Sequence, residues 1–360
     1  MRYLVQLVLV AMLMLGLTGQ VAVVAAETPD ALDVEKLPEW RVTTSSRGGK
    51  LLLSDSPEMV QADGILYQDK VVGNVRLFFY HVNATDTAKQ IEVLLENSGP
   101  ETAHVTVRRY GLGGPGYPWM EVGKEAVTSY LAGSPIRQIN VPARGTAPLA
   151  ACISETAVLP NRLINGIFDF TADRPVTVKV MMQPVFADSR EFSRQAKILP
   201  ADEVHLRGTF EGADRRLVPT RLYDPVRDGV AALTLADNQV DRYLEGIDAT
   251  DGSKVLNYGN YGVVYEIFLP SKNTGNFACY LAPIGGPYAG AIGVKYLQID
   301  QGPVATPCDR VSFGDYGSTD FAFLGAFGGS KPLLLTFSPP GGSDLPVKLI
   351  LLPSGSLQHD

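Results

Sequence analysis

Alternation of apolar and polar positions dominates the chain. In KQIEVLLEN (residues 89–97), Ile91, Val93 and Leu95 fall on one side, Glu92 and Glu96 on the other. Val105 and Val107 alternate with His104, Thr106 and Arg108, and Val176, Val178 and Val180 with Thr177 and Lys179. A period of two returns every second side chain to the same face, so these segments predict half-buried strands. The first two are separated by ENSGPE, whose Asn, Ser, Gly and Pro reverse a chain within a few residues. Strands joined so tightly are antiparallel, because parallel partners need a crossover of a dozen or more residues. The same pattern resumes after residue 204, in GVVYEIFLP, NFACYLAP, GAIGVKYLQI, PLLLTFSP and PVKLILLP, each bounded by Gly or Pro.

One segment carries helix signals. PWMEVGKEAVTSYLAG (118–133) has Pro118 at its start and Gly133 at its end, with Gly123 as an interior weak point. The polar run ADSREFSRQAKILPADE (187–203) separates the two β-rich blocks. The expected fold is mainly β, with two tandem antiparallel β-sandwich domains of Ig-like or jelly-roll-like type and few short helices. The boundaries expected are an extended arm at 27–50, a first sandwich at 51–186, a linker at 187–203, a second sandwich at 204–353 and a tail at 354–360. No repeat of 20–50 residues occurs, which argues against a solenoid or propeller.

Residues 1–26 read as a signal peptide: Arg2, a long apolar run, then Val24 and Ala26 at −3 and −1 of a cut before Glu27. The mature protein is therefore expected outside the cytoplasm. A formal net charge of −7, without any basic run, argues against nucleic acid or anionic membrane as partners. Of the three cysteines, Cys279 and Cys308 are the pair that an oxidising exterior would join, and Cys152 reads as a small buried residue.

YGLGGPGYPWM (110–120) contains Gly111, Gly113 and Gly116 in the order G-x-G-x-x-G, the spacing of dinucleotide-binding loops. That chemistry also needs a βαβ unit and an acidic residue about 20 positions on, where LAGSPIRQ has none. The glycines are read as a turn. Phosphate-loop, H-E-x-x-H, C-x-x-C and G-x-S-x-G patterns are absent. His81, His104, His205 and His359 are scattered, and Asp248 and Asp251 in DATDGSK read as turn residues before calcium ligands. No catalytic residue, cofactor or metal is expected.

The least ordinary stretch is LNYGNYGVVYEIFLPSKNTGNFACYLAPIGGPYAGAIGV (256–294), where tyrosines sit among glycines and asparagines. Aromatic faces beside amides suit sugars, so Asn257, Tyr258, Asn260, Tyr261 and Tyr288 are the candidate ligand-binding residues. The Gly111–Gly116 loop is a second candidate. GNYGVVYEIFLP, GGPYAGAIGV, GLGGPGYPWMEVGK and SPPGGSDLPVKLILLP together resemble secreted proteins of Gram-positive bacteria labelled copper amine oxidase N-terminal domain-like. The resemblance implies an envelope or extracellular protein rather than a reaction. The amine oxidase cofactor motif T-x-x-N-Y-[DE]-Y survives only as Asn257-Tyr258, with Lys254, Gly259 and Asn260 at the other positions, and no H-x-H exists.

The expected function is non-catalytic binding or scaffolding at the cell wall or extracellular matrix, with polysaccharide as the candidate partner. Two alternatives stand beside it: an assembly protein that uses its arm for strand addition, and a hydrolase whose site is assembled across space.

Overall fold

The computed structural model describes residues 32–315 and 320–354. The expected signal peptide, the first residues of the arm and the tail beyond Ser354 lie outside them. The chain is mainly β, with several packed sheets and, among the described residues, three α-helices: α1 (Trp119–Ala132), α2 (Ala151–Ser154) and α3 (Ser189–Gln195). No helix among the described residues is long and apolar enough to cross a membrane.

Two long strands, Gly64–Asn83 and Leu163–Pro184, run antiparallel through the middle of the largest sheet. The register shifts between Ala172 and Val176, opposite Gly73 and Val71. On the far side of Leu163–Pro184, one half pairs with Ala103–Gly116 and the other with Lys89–Asn97. Both halves contribute to one core, Tyr67 and Val71 meeting Leu77, Phe79, Phe168 and Phe170 there. The sheet therefore curls over itself into a sandwich.

Within VRLFFYHV (75–82), Leu77, Phe78, Phe79 and Tyr80 follow one another without the alternation expected of a half-buried strand. Leu77 and Phe79 enter the inner core, whereas Phe78, Tyr80 and Val82 enter a second core on the opposite face. A strand buried on both faces has no reason to alternate.

That second core joins the two β-rich blocks. Leu51, Phe78 and Ile167 from the first pack with Phe210, Tyr265, Phe277 and Phe337 from the second. Hydrogen bonding crosses between them as well. Arg207–Glu211 pairs with Lys50–Ser54, extending the large sheet into the second block. Val42–Arg47, from the expected arm, pairs with Asp214–Pro219 at the edge of a six-stranded sheet, and Trp40 just before it is buried. The stretch expected as a linker contains α3, whose Phe192 packs on Ile65, Leu94 and Met181. Pairing is not purely antiparallel either: Lys50–Ser54 runs parallel to Gly64–Asn83, and Asp214–Pro219 parallel to Val264–Phe268.

Helix α1 matches its expected limits, with Pro118 at the N-cap and Gly133 at φ +86° as the C-cap. The glycines before it are not a turn, because Ala103–Gly116 is a strand. A Cβ at Gly111 would stand 2.2 Å from the Ala126 carbonyl oxygen, and one at Gly113 2.0 Å from that of Val122. The G-x-G spacing lets α1 lie directly on the strand backbone.

The cysteine expectations fail. Cys279 is buried in Asn276–Pro283, and Cys308 is exposed beyond the end of Ile299–Thr306; both thiols are free. Burial pushes the Cys279 thiol up to about 12. Cys152, expected to be buried, is exposed and free.

Candidate functional site

Of the five residues proposed for ligand binding, three belong to the scaffold. Asn257 is fully buried; its Oδ1 accepts from the Tyr261 N–H and its Nδ2 donates to the Tyr261 carbonyl, both at 2.9 Å. Asn260, also buried, accepts from the Leu244 N–H at 2.9 Å and donates to Tyr265 Oη at 2.8 Å. Gly259, Asn260 and Gly262 all have positive φ, so this stretch needs Gly and Asn to turn at all. Tyr288 is buried against Phe313, ring centroids 5.9 Å apart.

Tyr258 is exposed and packs edge-on against Tyr243, beside the short strands Glu245–Ile247 and Lys254–Leu256. Tyr261, half-buried, faces a different recess. The five residues form no common surface.

The recess at Tyr261 is the candidate site. It is a cleft of ≈ 450 Å³ built by segments distant in sequence. The loop after Lys50–Ser54 supplies Asp55 and Glu58, and the central strand supplies Tyr80. The entry to α1 supplies Tyr117 and Trp119, and the loop before Val347–Pro353 supplies Gly342, Ser343 and Asp344. The rings of Tyr117 and Trp119 stand at 87° with centroids 6.3 Å apart, forming an aromatic corner. Tyr117 is 66% exposed.

The walls are clasped to one another. Tyr261 Oη donates to the Ser343 carbonyl at 2.7 Å, and Ser343 Oγ binds both the N–H and the carbonyl of Ala289, at 2.9 and 3.0 Å. Gly341 lies on the Tyr80 ring, where a Cβ would come within 2.3 Å of Cδ2. Such packing presets the cleft before a ligand arrives.

Its electrostatics are one-sided: the lining includes Asp55, Glu58 and Asp344 but neither Lys nor Arg. Asp55 is only 8% exposed, and its Oδ1 has no hydrogen-bond partner. Burial, then the nearby charges of Glu58 and Asp202, hold its carboxyl well above the usual range. Glu58 is raised by burial and by Asp202. An unpaired buried carboxyl is costly, which marks the place as one kept for a purpose other than stability.

Other clusters are already committed to the fold. Ser54 and His81 form a hydrogen bond of 2.9 Å, and His81 Nδ1 must donate to the Pro57 carbonyl, also 2.9 Å away. Nε2 therefore accepts from the Ser54 hydroxyl, but both residues are fully buried beyond reach of a substrate. His205, Asp248 and Asp251 gather within 4.8 Å. Asp248, however, already accepts from Arg207 at 2.7 Å, His205 at 2.8 Å and the Thr250 hydroxyl and N–H at 2.6 and 2.9 Å. It is the hub of its turn. Glu92, in a separate recess, is likewise occupied by the hydroxyls of Ser154 and Ser189.

Burial lowers His81 to about 4 from an ordinary 6.5. Above pH 6.5 it is neutral folded or unfolded; between 6.5 and 4 only the unfolded chain takes up the proton. Stability is therefore lost as pH falls through that window, by about 3 kcal/mol for the whole shift. Asp55 and Glu58 act in the opposite sense, so the readout is a difference. The stability gap between wild type and His81→Gln, followed by urea unfolding, should narrow from about pH 7 to about pH 4.5. A gap independent of pH would contradict the assignment.

Asp55, Glu58, Tyr80, Tyr117, Trp119 and Asp344 were not anticipated as site residues. Tyr117 and Trp119 immediately follow the glycine segment named as second candidate, and DSPE (55–58) places two carboxyls around a proline. Those were the available signals.

No family model matches the sequence, and no curated protein matches it. Among solved structures, the multicopper oxidase Fet3p, which functions in iron import, is 9% identical over 74% of this chain, with a TM-score of 0.14. This chain spans about half of that one, covering 51%. The coconut allergen cocosin is 10% identical, covering 87% of this chain and 85% of its own, with a TM-score of 0.11. A mutant of salicylate 1,2-dioxygenase from Pseudoaminobacter salicylatoxidans is 9% identical, covering 78% and 70%, with a TM-score of 0.09.

Proposed function

We propose that this is a secreted, non-catalytic binding protein of the cell wall or extracellular matrix, holding a glycan chain in the cleft of Asp55, Glu58, Tyr117, Trp119 and Tyr261. The observation that carries the reading is the corner of exposed Tyr117 and half-buried Trp119 in the same cleft as a buried Asp55 oxygen that lacks a partner. Sugar rings offer C–H faces to aromatic rings and hydroxyl donors to carboxyl oxygens, and the cleft presents both. Aromatic side chains supply large contact area at small entropic cost, and a preformed cleft avoids reordering.

Binding fits better than hydrolysis. A glycosidase separates one protonated carboxyl from one ionised base or nucleophile. Here Asp55 and Glu58 are both displaced toward the protonated form. The assembly reading is less favoured, because Val42–Arg47 of the arm already pairs with Asp214–Pro219 of its own chain.

The test is a pull-down with purified cell walls and insoluble polysaccharides. Tyr117→Ala/Trp119→Ala should abolish retention by protein that circular dichroism shows to be folded, its melt lowered by the packing that Trp119 loses against the core. Tyr258→Ala, outside the cleft, should be retained as wild type is. Full retention of the double variant, or loss confined to Tyr258→Ala, would place the binding surface elsewhere.

A further inference from the structure

Resting on the glycan-binding reading, we infer that the cleft selects sugars bearing free amino groups, so that its ligand is a cationic, partly or wholly de-N-acetylated glycan rather than a neutral one. The argument begins with Asp55. Its Oδ1 is buried and lacks any partner, and Glu58 and Asp344 line the same cleft. A hydroxyl would satisfy that oxygen once. An ammonium would do so with a charge-assisted bond, roughly twice as strong as a neutral one.

The lining contains no Lys or Arg that could neutralise Asp55 and Glu58 from within. Arg207, behind the cleft loop, is spent on Asp248 and on the carbonyls of Leu66 and Leu199. The aromatic walls favour the same ligand, since the faces of Tyr and Trp attract cations, more strongly once water is displaced. In the free protein, burial and the neighbouring carboxyls oppose ionisation of Asp55 and Glu58. An ammonium favours the ionised form and pairs with it, whereas a neutral sugar offers no such gain.

Titration calorimetry of the protein with a glucosamine hexamer and its fully N-acetylated counterpart tests this. The free-amine hexamer should bind at least about tenfold more tightly at low salt, the difference expected of one charge-assisted contact. Raising the salt should shrink the gap, as should Asp55→Asn and Glu58→Gln, with melting curves confirming that both variants fold. Equal affinity for the two hexamers, lost in Tyr117→Ala/Trp119→Ala, would overturn charge selection and leave glycan binding standing. A preference that survives both carboxyl substitutions would place the ammonium outside this cleft and overturn the inference. Binding of neither hexamer, together with no retention on any polysaccharide, would overturn both readings.

Discussion

Replacing Arg76 by methionine should destabilise the fold by about 3–5 kcal/mol, the range found when one partner of a buried ion pair is removed. Arg76 is 5% exposed and stands where the two β-rich blocks meet. From the first block, Asp169 accepts from its Nε at 2.6 Å and its Nη2 at 2.9 Å. From the second, Asp214 lies 2.8 Å from Nη1, which also donates to the Ala213 carbonyl at 2.6 Å. The guanidinium lies over the Tyr130 ring at 5.7 Å and donates to its hydroxyl at 3.0 Å. Methionine preserves much of the apolar stem but leaves two carboxylates facing the gap without their cation. Arg76→Lys keeps the charge but cannot make the forked contact, so its loss should be intermediate. Urea unfolding measures both. A loss below about 1 kcal/mol for the methionine variant would mean that the blocks hold together without this pairing.

The second large effect is expected at Gly123, in the middle of α1. By helix propensity alone, Gly123→Ala should stabilise by about 1 kcal/mol. In the folded protein the added Cβ would fall 1.9 Å from the Gly341 carbonyl oxygen, and the nearest atoms are all backbone, which no rotamer change relieves. Overpacking of this kind costs about 3 kcal/mol, reversing the sign set by propensity. The loop displaced is the one that carries Gly342, Ser343 and Asp344 into the cleft. Gly123→Ala should therefore lower the melting temperature and weaken glycan retention together. A stabilised variant with intact binding would show that the helix and loop are not in register as described.

Much of the local structure is legible in the sequence. Ile91, Val93 and Leu95 share the inner core as their alternation implies, and Pro118 and Gly133 bracket α1. The pattern failed where burial is two-sided. Glu92, assigned to the open face, is 2% exposed because Ser154 and Ser189 cover it. Pairing between distant strands leaves no local mark, so nothing in residues 42–54 announces partners at 207–219. The aromatic and amide residues of NYGNYG were singled out by composition, yet Asn257 and Asn260 are there to close a left-handed turn. The cleft combines remote segments, each unremarkable alone. Tyr261, the glycine segment before Tyr117 and the carboxyls of DSPE were what pointed toward it.

The order in which strands are laid down has a consequence for how the molecule comes into being. Thr43 bonds to the carbonyl of Val218, 175 residues later, and Val347–Pro353 inserts between Ala231–Leu235 and Asn276–Pro283 rather than at an edge. Lys348 donates to the carbonyl of Val34, 314 residues earlier. The inner strand Val347–Pro353 is therefore made after both of its neighbours, and Val42–Arg47 long before its partner. Contacts so remote in sequence make closure slow and leave sticky edges open meanwhile. Until Val347–Pro353 is in place, Ala231–Leu235 and Asn276–Pro283 have nothing to bridge them.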